Sequence, residues 1–116
     1  MTTITIKAGR ITLRAALGDS AAAREFARRQ PFTVTMRDEP ARLAGRVPRG
    51  RFDPGGCCRS PKRGDLVLGG GALYLYCEDA PPEPGFCRLQ RIGRVTAETL
   101  AQLDALGAGA LTFARA

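Results

Sequence analysis

Polar and hydrophobic residues alternate along much of this chain, and the alternation predicts antiparallel β-structure. Residues 3–7 and 10–17 alternate on either side of an Ala-Gly turn, so they predict a β-hairpin. Residues 32–36 predict a further strand, with every second side chain facing inward. Residues 65–68 and 72–77 flank three consecutive glycines and predict a second hairpin, in which the two tyrosines share one face.

Two short helices interrupt the strands. Asp19 and Ser20 supply a helix-start signal, and the helix is predicted to continue to about residue 29, where Pro31 stops it. Thr96 is expected to cap a second helix over residues 97–106, whose leucines form a buried stripe. These two segments predict one helix early in the chain and one near its end.

The remaining segments are less regular. Residues 41–47 predict either a short strand or an irregular edge, and residues 48–64 predict a long loop rich in glycine and proline. An acidic, proline-rich loop over residues 78–85 leads to a strand over residues 86–95, in which Gly93 allows a bulge or a close backbone approach. Residues 110–115 predict the last strand. Seven or eight antiparallel strands without βαβ alternation favour one mainly β domain over residues 1–116, closed into a barrel.

Composition excludes several kinds of chemistry. The chain has 116 residues with neither histidine nor tryptophan, which excludes Ser-His-Asp and Cys-His catalysis and histidine-bearing zinc sites. The longest apolar runs are too short to cross a bilayer, and the N-terminus does not show a secretory signal. We therefore expect a cytoplasmic protein without a membrane partner.

The four cysteines do not predict a metal or redox motif. Cys57, Cys58, Cys77 and Cys87 include no C-x-x-C pair, so zinc-ribbon and thioredoxin-type spacings are absent. In a cytosolic protein the expected state is free thiols. A bridge between Cys77 and Cys87, which flank one loop, is the alternative.

The net charge raises the question of a polyanionic partner. Eighteen basic residues against eleven acidic residues give +7, and such a balance is typical of proteins that bind nucleic acid or other anions. Residues 37–63 hold the densest basic stretch. Phe52 is the one aromatic residue in it, whereas stacking on single-stranded bases needs several. The sequence therefore gives nucleic-acid binding less support than binding of a small anion.

The order of elements resembles that of the small bacterial and archaeal cyclophilin-like proteins, which are mostly of unknown function. The resemblance covers nearly the whole chain and is carried by a hairpin, a helix, the strand start Gln-Pro-Phe-Thr at 30–33, the turn Gly-Asp-Leu at 64–66 and Arg-Ile-Gly-Arg-Val at 91–95. It implies a closed, eight-stranded, cyclophilin-like antiparallel barrel with two short helices. True cyclophilins are peptidyl-prolyl isomerases that carry an arginine followed five positions later by phenylalanine. No phenylalanine here has that arginine, so the fold is expected without the usual site.

Candidate binding residues lie near the expected barrel mouth. On a strand, Arg42 and Arg46 share one face and are predicted to clasp a carboxylate or phosphate, with Tyr76 adding a hydroxyl group. Arg51 and Phe52 are predicted as an anion clamp with an apolar lid. The sequence thus predicts a barrel that binds a small anionic ligand or a protein segment, with no cofactor, no metal and no catalytic residue assigned. An atypical prolyl isomerase and an arginine-rich nucleic-acid binder are the alternatives, and the oligomeric state stays open.

Overall fold

Eight antiparallel strands close into a barrel in the computed structural model, which describes residues 2–47, 52, 57–82 and 89–116. The strands are β1 (Thr2–Ala8), β2 (Ile11–Leu17), β3 (Phe32–Glu39), β4 (Arg42–Arg46), β5 (Asp65–Gly69), β6 (Ala72–Tyr76), β7 (Gln90–Val95) and β8 (Gly109–Arg115). Their order around the barrel is β1-β2-β7-β5-β6-β4-β3-β8, and β8 returns to β1. Closure pairs every strand on both sides, which leaves no open sheet edge. The predicted eight-stranded antiparallel barrel is confirmed.

Alternating side chains fill the inside of the barrel. Ile4 and Ile6 of β1 and Leu73 and Leu75 of β6 are at most 1% exposed, while their neighbours along each strand face outward or are partly covered. This is the period-two pattern that the sequence shows, and it sets the register of each strand because a slip of one residue would expose the core face. The core is therefore the barrel interior, extended at its ends by the two helical segments.

Helix α1 (Ala21–Arg28) covers one end of the barrel. It begins at Ser20, whose Oγ accepts a hydrogen bond from the Ala23 backbone N–H at 3.1 Å, as predicted for an N-cap. Phe26 points into the barrel end, with its ring centroid 5.2 Å from that of Phe32 and 5.6 Å from that of Phe113. This aromatic contact holds α1 against β3 and β8.

The second helical segment differs from the prediction. It is a 3-10 helix over Leu100–Ala105, shorter than the predicted 97–106, and it begins after Thr99 instead of Thr96. Leu100, Leu103 and Leu106 recur every third residue, which matches the three residues per turn of a 3-10 helix better than the 3.6 of an α-helix. Leu103 is buried and the other two leucines are half-buried against the core, so the predicted apolar stripe is present in the tighter helix.

Several strand boundaries also differ from the prediction. Strand β3 continues beyond residue 36 to Glu39, and residues 42–46 form the regular strand β4 because they pair with β3 on one side and β6 on the other. Strand β7 begins at Gln90; part of the predicted strand 86–95, residues 86–88, lies outside the described residues. Most of the predicted loop 48–64 also lies outside them.

Gly93 occupies the junction of β7 with its two neighbours. Between β5 and β7 the register shifts beside Leu66 and Val67, opposite Gly93 and Arg91, which is a β-bulge. On the other side, a Cβ atom placed on Gly93 would lie 2.6 Å from the backbone oxygen of Ala16. Both features that the sequence allowed at Gly93, a bulge and a close approach, are therefore present.

A small second cluster of apolar residues covers the outside of β5 and β6. Val67, Tyr76 and Leu89 are its buried members. Beside it, Asp65 is 1% exposed and accepts hydrogen bonds from Arg94 Nε at 3.1 Å and from the Lys62 backbone N–H at 2.9 Å. This buried ion pair joins β5 to β7 where the two strands meet.

The cysteines correct one expectation. Cys57 is disulfide-bonded, so the expectation of free thiols is wrong at that residue, whereas Cys58 and Cys77 are free. A Cys77–Cys87 bridge is also wrong because Cys77 is free; Cys87 lies outside the described residues. The Cys58 N–H donates to the Leu89 carbonyl at 2.8 Å, which brings residues distant in sequence together in a way that spacing does not reveal. Within the described ranges, no helix combines the length and apolar character needed to cross a bilayer.

Candidate functional site

A cleft of about 680 Å³ opens at the barrel end that the 3-10 helix covers. We call it the acidic cleft. Its lining residues come from β3, β4 and the turn between them, from the segments before β5 and after β6, and from the 3-10 helix and the residue that follows it: Asp38, Glu39, Ala41, Arg42, Leu43, Arg63, Cys77, Glu78, Asp79, Leu103, Asp104 and Leu106. Five carboxylates against two guanidinium groups give the lining a formal charge of −3 in a protein of +7.

Arg42 forms one wall of the acidic cleft. Its Nε donates to Glu39 Oε1 at 2.8 Å, its Nη1 donates to the Tyr76 hydroxyl at 2.8 Å, and its guanidinium carbon lies 3.9 Å from the centre of the Tyr74 ring. Burial opposes the charge of Arg42, but the hydrogen bonds to Tyr76 and Glu39 outweigh it, so the pKa of Arg42 is raised. Arg42 is thus a fixed cation held between aromatic rings and a carboxylate.

Arg63, in the same cleft, ties the 3-10 helix to the barrel. Its Nη1 donates to the Cys77 carbonyl at 2.8 Å and to Asp104 Oδ1 at 2.9 Å, and its Nη2 donates to the Leu100 carbonyl at 3.1 Å. A planar guanidinium can make these bonds at once because its N–H groups point in fixed directions. Both arginines of the acidic cleft are therefore already engaged by groups of this chain.

The five carboxylates of the acidic cleft fall into two groups. Glu39 pairs with Arg42 and Arg37, and the hydrogen bond from Arg42 is the main reason that the pKa of Glu39 is lowered. Besides Glu39, Asp104 pairs with Arg63, and Asp79 accepts a hydrogen bond from the Arg63 backbone N–H at 2.8 Å. Asp38 and Glu78, by contrast, make no side-chain hydrogen bond or ion pair with the part of the chain that the structure describes. The cleft therefore carries negative charge that its own arginines leave unneutralised.

The free thiol of Cys77 lies among these carboxylates. Burial raises the pKa of Cys77; the nearby charges of Asp38, Glu78 and Asp104 raise it further, and Arg63 opposes them. Three carboxylates from separate parts of the chain thus act on one sulfur, which places them around a common space. At neutral pH the thiol is protonated and adds to the apolar side of the lining.

The structure brings some of the predicted binding residues together and separates others. Arg42 and Tyr76 are paired across β4 and β6 and share the hydrogen bond described above. Arg46 lies at the other end of β4, opposite Ala72, so its backbone is about 13 Å from that of Arg42. Phe52 is at the α1 end of the barrel, where the guanidinium carbon of Arg29 lies 4.2 Å from its ring centre. Arg51 lies outside the described residues.

Sequence reasoning missed most of the acidic cleft. Asp38, Arg63, Glu78 and Asp104 are distant along the chain, and barrel closure with the docked 3-10 helix brings them together. The acidic loop that starts at residue 78 was the available signal, but its neighbours could not be identified without the strand order. Among the described residues, no group of three or more cysteines and carboxylates is arranged to hold a metal ion.

A second cleft of about 380 Å³ lies beside the start of α1. We call it the α1 cleft; its lining is Ala16, Leu17, Gly18, Asp19, Ser20, Arg91, Ile92, Gly93 and Arg94. Two arginines against one aspartate give it a formal charge of +1. The two clefts therefore carry formal charges of opposite sign.

Comparisons with known proteins agree with this architecture. The solution structure of the hypothetical protein AF2241 from Archaeoglobus fulgidus superposes with a TM-score of 0.75 over 99% of this chain and 95% of that chain, at 13% sequence identity. At that identity the likeness shows the fold alone. No curated protein matches the chain. A sequence model described as the cyclophilin-like family matches residues 6–113, and the chain therefore belongs to the cyclophilin-like family.

Proposed function

We propose that this barrel is a binding module whose acidic cleft receives a basic side chain of a protein segment. The observation that carries the proposal is the −3 charge of a 680 Å³ cleft whose two arginines are already hydrogen-bonded within the chain. A cleft of this size is in the range that accommodates a side chain or a small ligand. A protein segment was one of the two ligands expected from the sequence. The group proposed to enter the cleft is, however, basic, whereas the sequence predicted an anion.

The lining suits a long basic side chain in two respects. Ala41, Cys77 and Leu106, which are partly exposed, supply apolar surface for an aliphatic stem, and Asp38 and Glu78 supply acceptors for the charged end. Lysine and arginine need this combination, because their stems pack on apolar surface while their heads seek polar partners. Arg63 provides an example within the chain, since its guanidinium is held in the same cleft by a carboxylate and two backbone carbonyls.

An anion is less favoured in this cleft than the sequence suggested. Two of the guanidinium nitrogens of Arg42 already donate to Glu39 and Tyr76, so an anion would compete with Glu39 for them. Arg46 is about 13 Å away along β4, too far for both arginines to hold one carboxylate. The unneutralised charge of Asp38 and Glu78 would repel an anion as well.

Titration with a matched pair of peptides tests the proposal. A capped peptide with one arginine among alanines is titrated into the ¹⁵N-labelled protein, and the control peptide carries neutral citrulline in place of arginine. We expect the arginine peptide to shift backbone signals around Cys77 and Asp104 and the citrulline peptide to leave them in place. Equal shifts with both peptides, or shifts outside the cleft, would refute the proposal.

Charge-neutralising variants locate the site. Asp38→Asn and Glu78→Gln each remove one carboxylate from the cleft with little change in shape, and we expect each to weaken binding by about 2–5-fold, as for partly exposed ion pairs. Glu98→Gln removes an exposed carboxylate outside the cleft lining and serves as the control. Equal weakening by all three variants would mean that net charge, and not this cleft, attracts the peptide.

A second candidate function, atypical prolyl isomerisation, is favoured by one contact at the α1 end. The Arg29 guanidinium lies 4.2 Å above the Phe52 ring, whose centroid is 6.2 Å from that of Phe26. An arginine above an apolar patch is the arrangement that polarisation of an X–Pro amide requires. A protease-coupled assay with an X–Pro peptide at high protein concentration tests it, with Arg29→Gln as the variant. A rate equal to the uncatalysed rate excludes this function.

A further inference from the structure

One outer wall of the barrel carries a group of positive charges with no acidic residue among them. Because the acidic cleft accounts for −3, the remainder of the chain carries +10. Strands β1, β2 and β7 together hold Lys7, Arg14, Arg91 and Arg94 and contain no acidic residue. We call the outer surface of these three strands the basic face.

The strand register places these four side chains on the outside. Lys7 follows the buried Ile6, Arg14 lies between the buried Leu13 and Ala15, and both basic residues are exposed. Arg91 precedes the buried Ile92 and is also exposed. Alternation along the strands therefore turns the basic groups outward wherever their neighbours enter the core.

Pairing between the strands aligns the four groups in a diagonal row. Thr5 pairs with Arg14 and Lys7 with Thr12, while Ala16 pairs with Arg94. Lys7 is therefore two residues along β1 from the partner of Arg14, and Arg14 is two residues along β2 from the partner of Arg94. One strand spacing combined with two residues of strand rise separates neighbouring basic positions by roughly 8 Å. Arg91 extends the row along β7, which brings its length to about 25 Å and its end to the α1 cleft.

These cations are available to a partner. Lys7, Arg14 and Arg91 form no side-chain hydrogen bond or ion pair within the described ranges. Arg94 donates to Asp65 through Nε while 54% of its side chain stays exposed. By contrast, Arg37, Arg42 and Arg63, from the stretch that looks most basic in the sequence, are paired with carboxylates. The basic face is therefore a stronger candidate for anion binding than these three paired arginines of residues 37–63.

We infer that the basic face binds the phosphate backbone of a nucleic acid. A row of cations suits a linear polyanion, in which successive phosphates meet successive side chains. The strands of the basic face contain no aromatic residue, so bases are not stacked and the binding is independent of sequence. Strands β3, β4 and β6, whose ends border the acidic cleft, stand three or four strands from β2 in the closed order, so a polyanion is favoured on the basic face over that part of the barrel.

Fluorescence anisotropy with a labelled single-stranded thymidine 20-mer tests the inference. Four phosphate contacts give a slope of about −3 in a plot of log K against log salt, so affinity should fall by about 50-fold between 50 and 200 mM salt. The triple variant Lys7→Gln, Arg14→Gln and Arg91→Gln should reduce that fall to about 3-fold, because one contact remains.

A second triple variant controls for net charge. Arg28→Gln, Arg37→Gln and Arg46→Gln remove the same charge from exposed residues of α1, β3 and β4, and this variant should keep most of the salt dependence. The single variant Arg14→Gln, expected to lower the slope by about 0.7, repeats the test if a triple variant does not fold. No binding at 50 mM salt, equal effects of the two triple variants, or binding to phosphatidylserine vesicles without binding to the oligonucleotide would each overturn the inference.

Discussion

Replacement of Gly93 by alanine should destabilise the barrel at the seam between β2 and β7. The added Cβ would lie 2.6 Å from the Ala16 backbone oxygen and 2.8 Å from Leu17 Cδ2. Ordinary van der Waals contacts begin near 3.4 Å. The Ala16 carbonyl belongs to a paired strand and cannot rotate away. Strands β2 and β7 must therefore move apart by most of the difference between 2.6 Å and 3.4 Å.

The loss of stability can be estimated from the contacts that this separation of β2 and β7 would weaken. The seam contains three residue pairs, Ala15–Val95, Ala16–Arg94 and Leu17–Gly93, and it continues into the hydrogen bond from Gly18 N to Ile92 O at 2.8 Å. Overpacking in a rigid site costs about 1–3 kcal/mol. One weakened backbone hydrogen bond adds about 1 kcal/mol. We therefore expect a loss of about 2–4 kcal/mol in the free energy of unfolding.

Urea denaturation measures this loss against a matched glycine. Gly71→Ala makes the same chemical change at a turn where nothing lies within 4 Å of the new Cβ. It should leave stability unchanged or raise it by up to about 1 kcal/mol through the unfolded state. In thermal unfolding, Gly93→Ala should lower Tm by about 8–16 °C. If the two variants unfold at the same urea concentration, the close approach at the β2–β7 seam does not constrain the fold.

Three further predictions concern the ionisable groups. Asp65→Asn should lower the free energy of unfolding by about 1–3 kcal/mol. Urea curves of this variant, of Arg94→Gln and of the double variant should show that the two losses are not additive. Additive losses would contradict the ion pair. The pKa of Cys77 is raised above the ordinary value of 9.0. In a Cys58→Ser variant, the pH midpoint for reaction of Cys77 with a thiol reagent should therefore lie above 9.0. A midpoint at or below 9.0 would contradict the burial of this thiol among carboxylates. The pKa of Glu39 is lowered, so its stabilising effect is present above the unfolded value of about 4.5 and is lost as pH falls through the folded value. Urea curves should therefore separate Glu39→Gln from the natural protein at pH 7, and the gap should narrow as pH falls below 4.5. A gap that stays constant would refute this assignment.

Local pattern was sufficient for the strands but not for the site. Period-two alternation predicted the hairpins and the inward residues because each strand has one face in the core. It could not distinguish a 3-10 helix from an α-helix at residues 100–105, because leucines three residues apart also share one face of an α-helix. It left residues 41–47 open between a short strand and an irregular edge, and pairing with β3 and β6 decides for the strand. Whether Arg42 is available to a ligand depends on its partners Glu39 and Tyr76, which the alternation does not reveal.

The distribution of charge in the fold also could not be predicted from local pattern. The sequence gives only the net charge and the number of charged residues in each stretch of the chain. Residues 37–63 contain the densest basic stretch, but in the fold Arg37 and Arg42 meet Glu39, and Arg63 meets Asp104. Lys7, Arg14 and Arg91 do not form a cluster in the sequence because they are far apart along the chain. They form a row only when β1, β2 and β7 pair. Barrel closure therefore places acidic residues together at one barrel end and basic residues together on the outer surface of β1, β2 and β7. Since the two surfaces share no residue, loss of peptide binding and loss of oligonucleotide binding can be measured independently in the same protein.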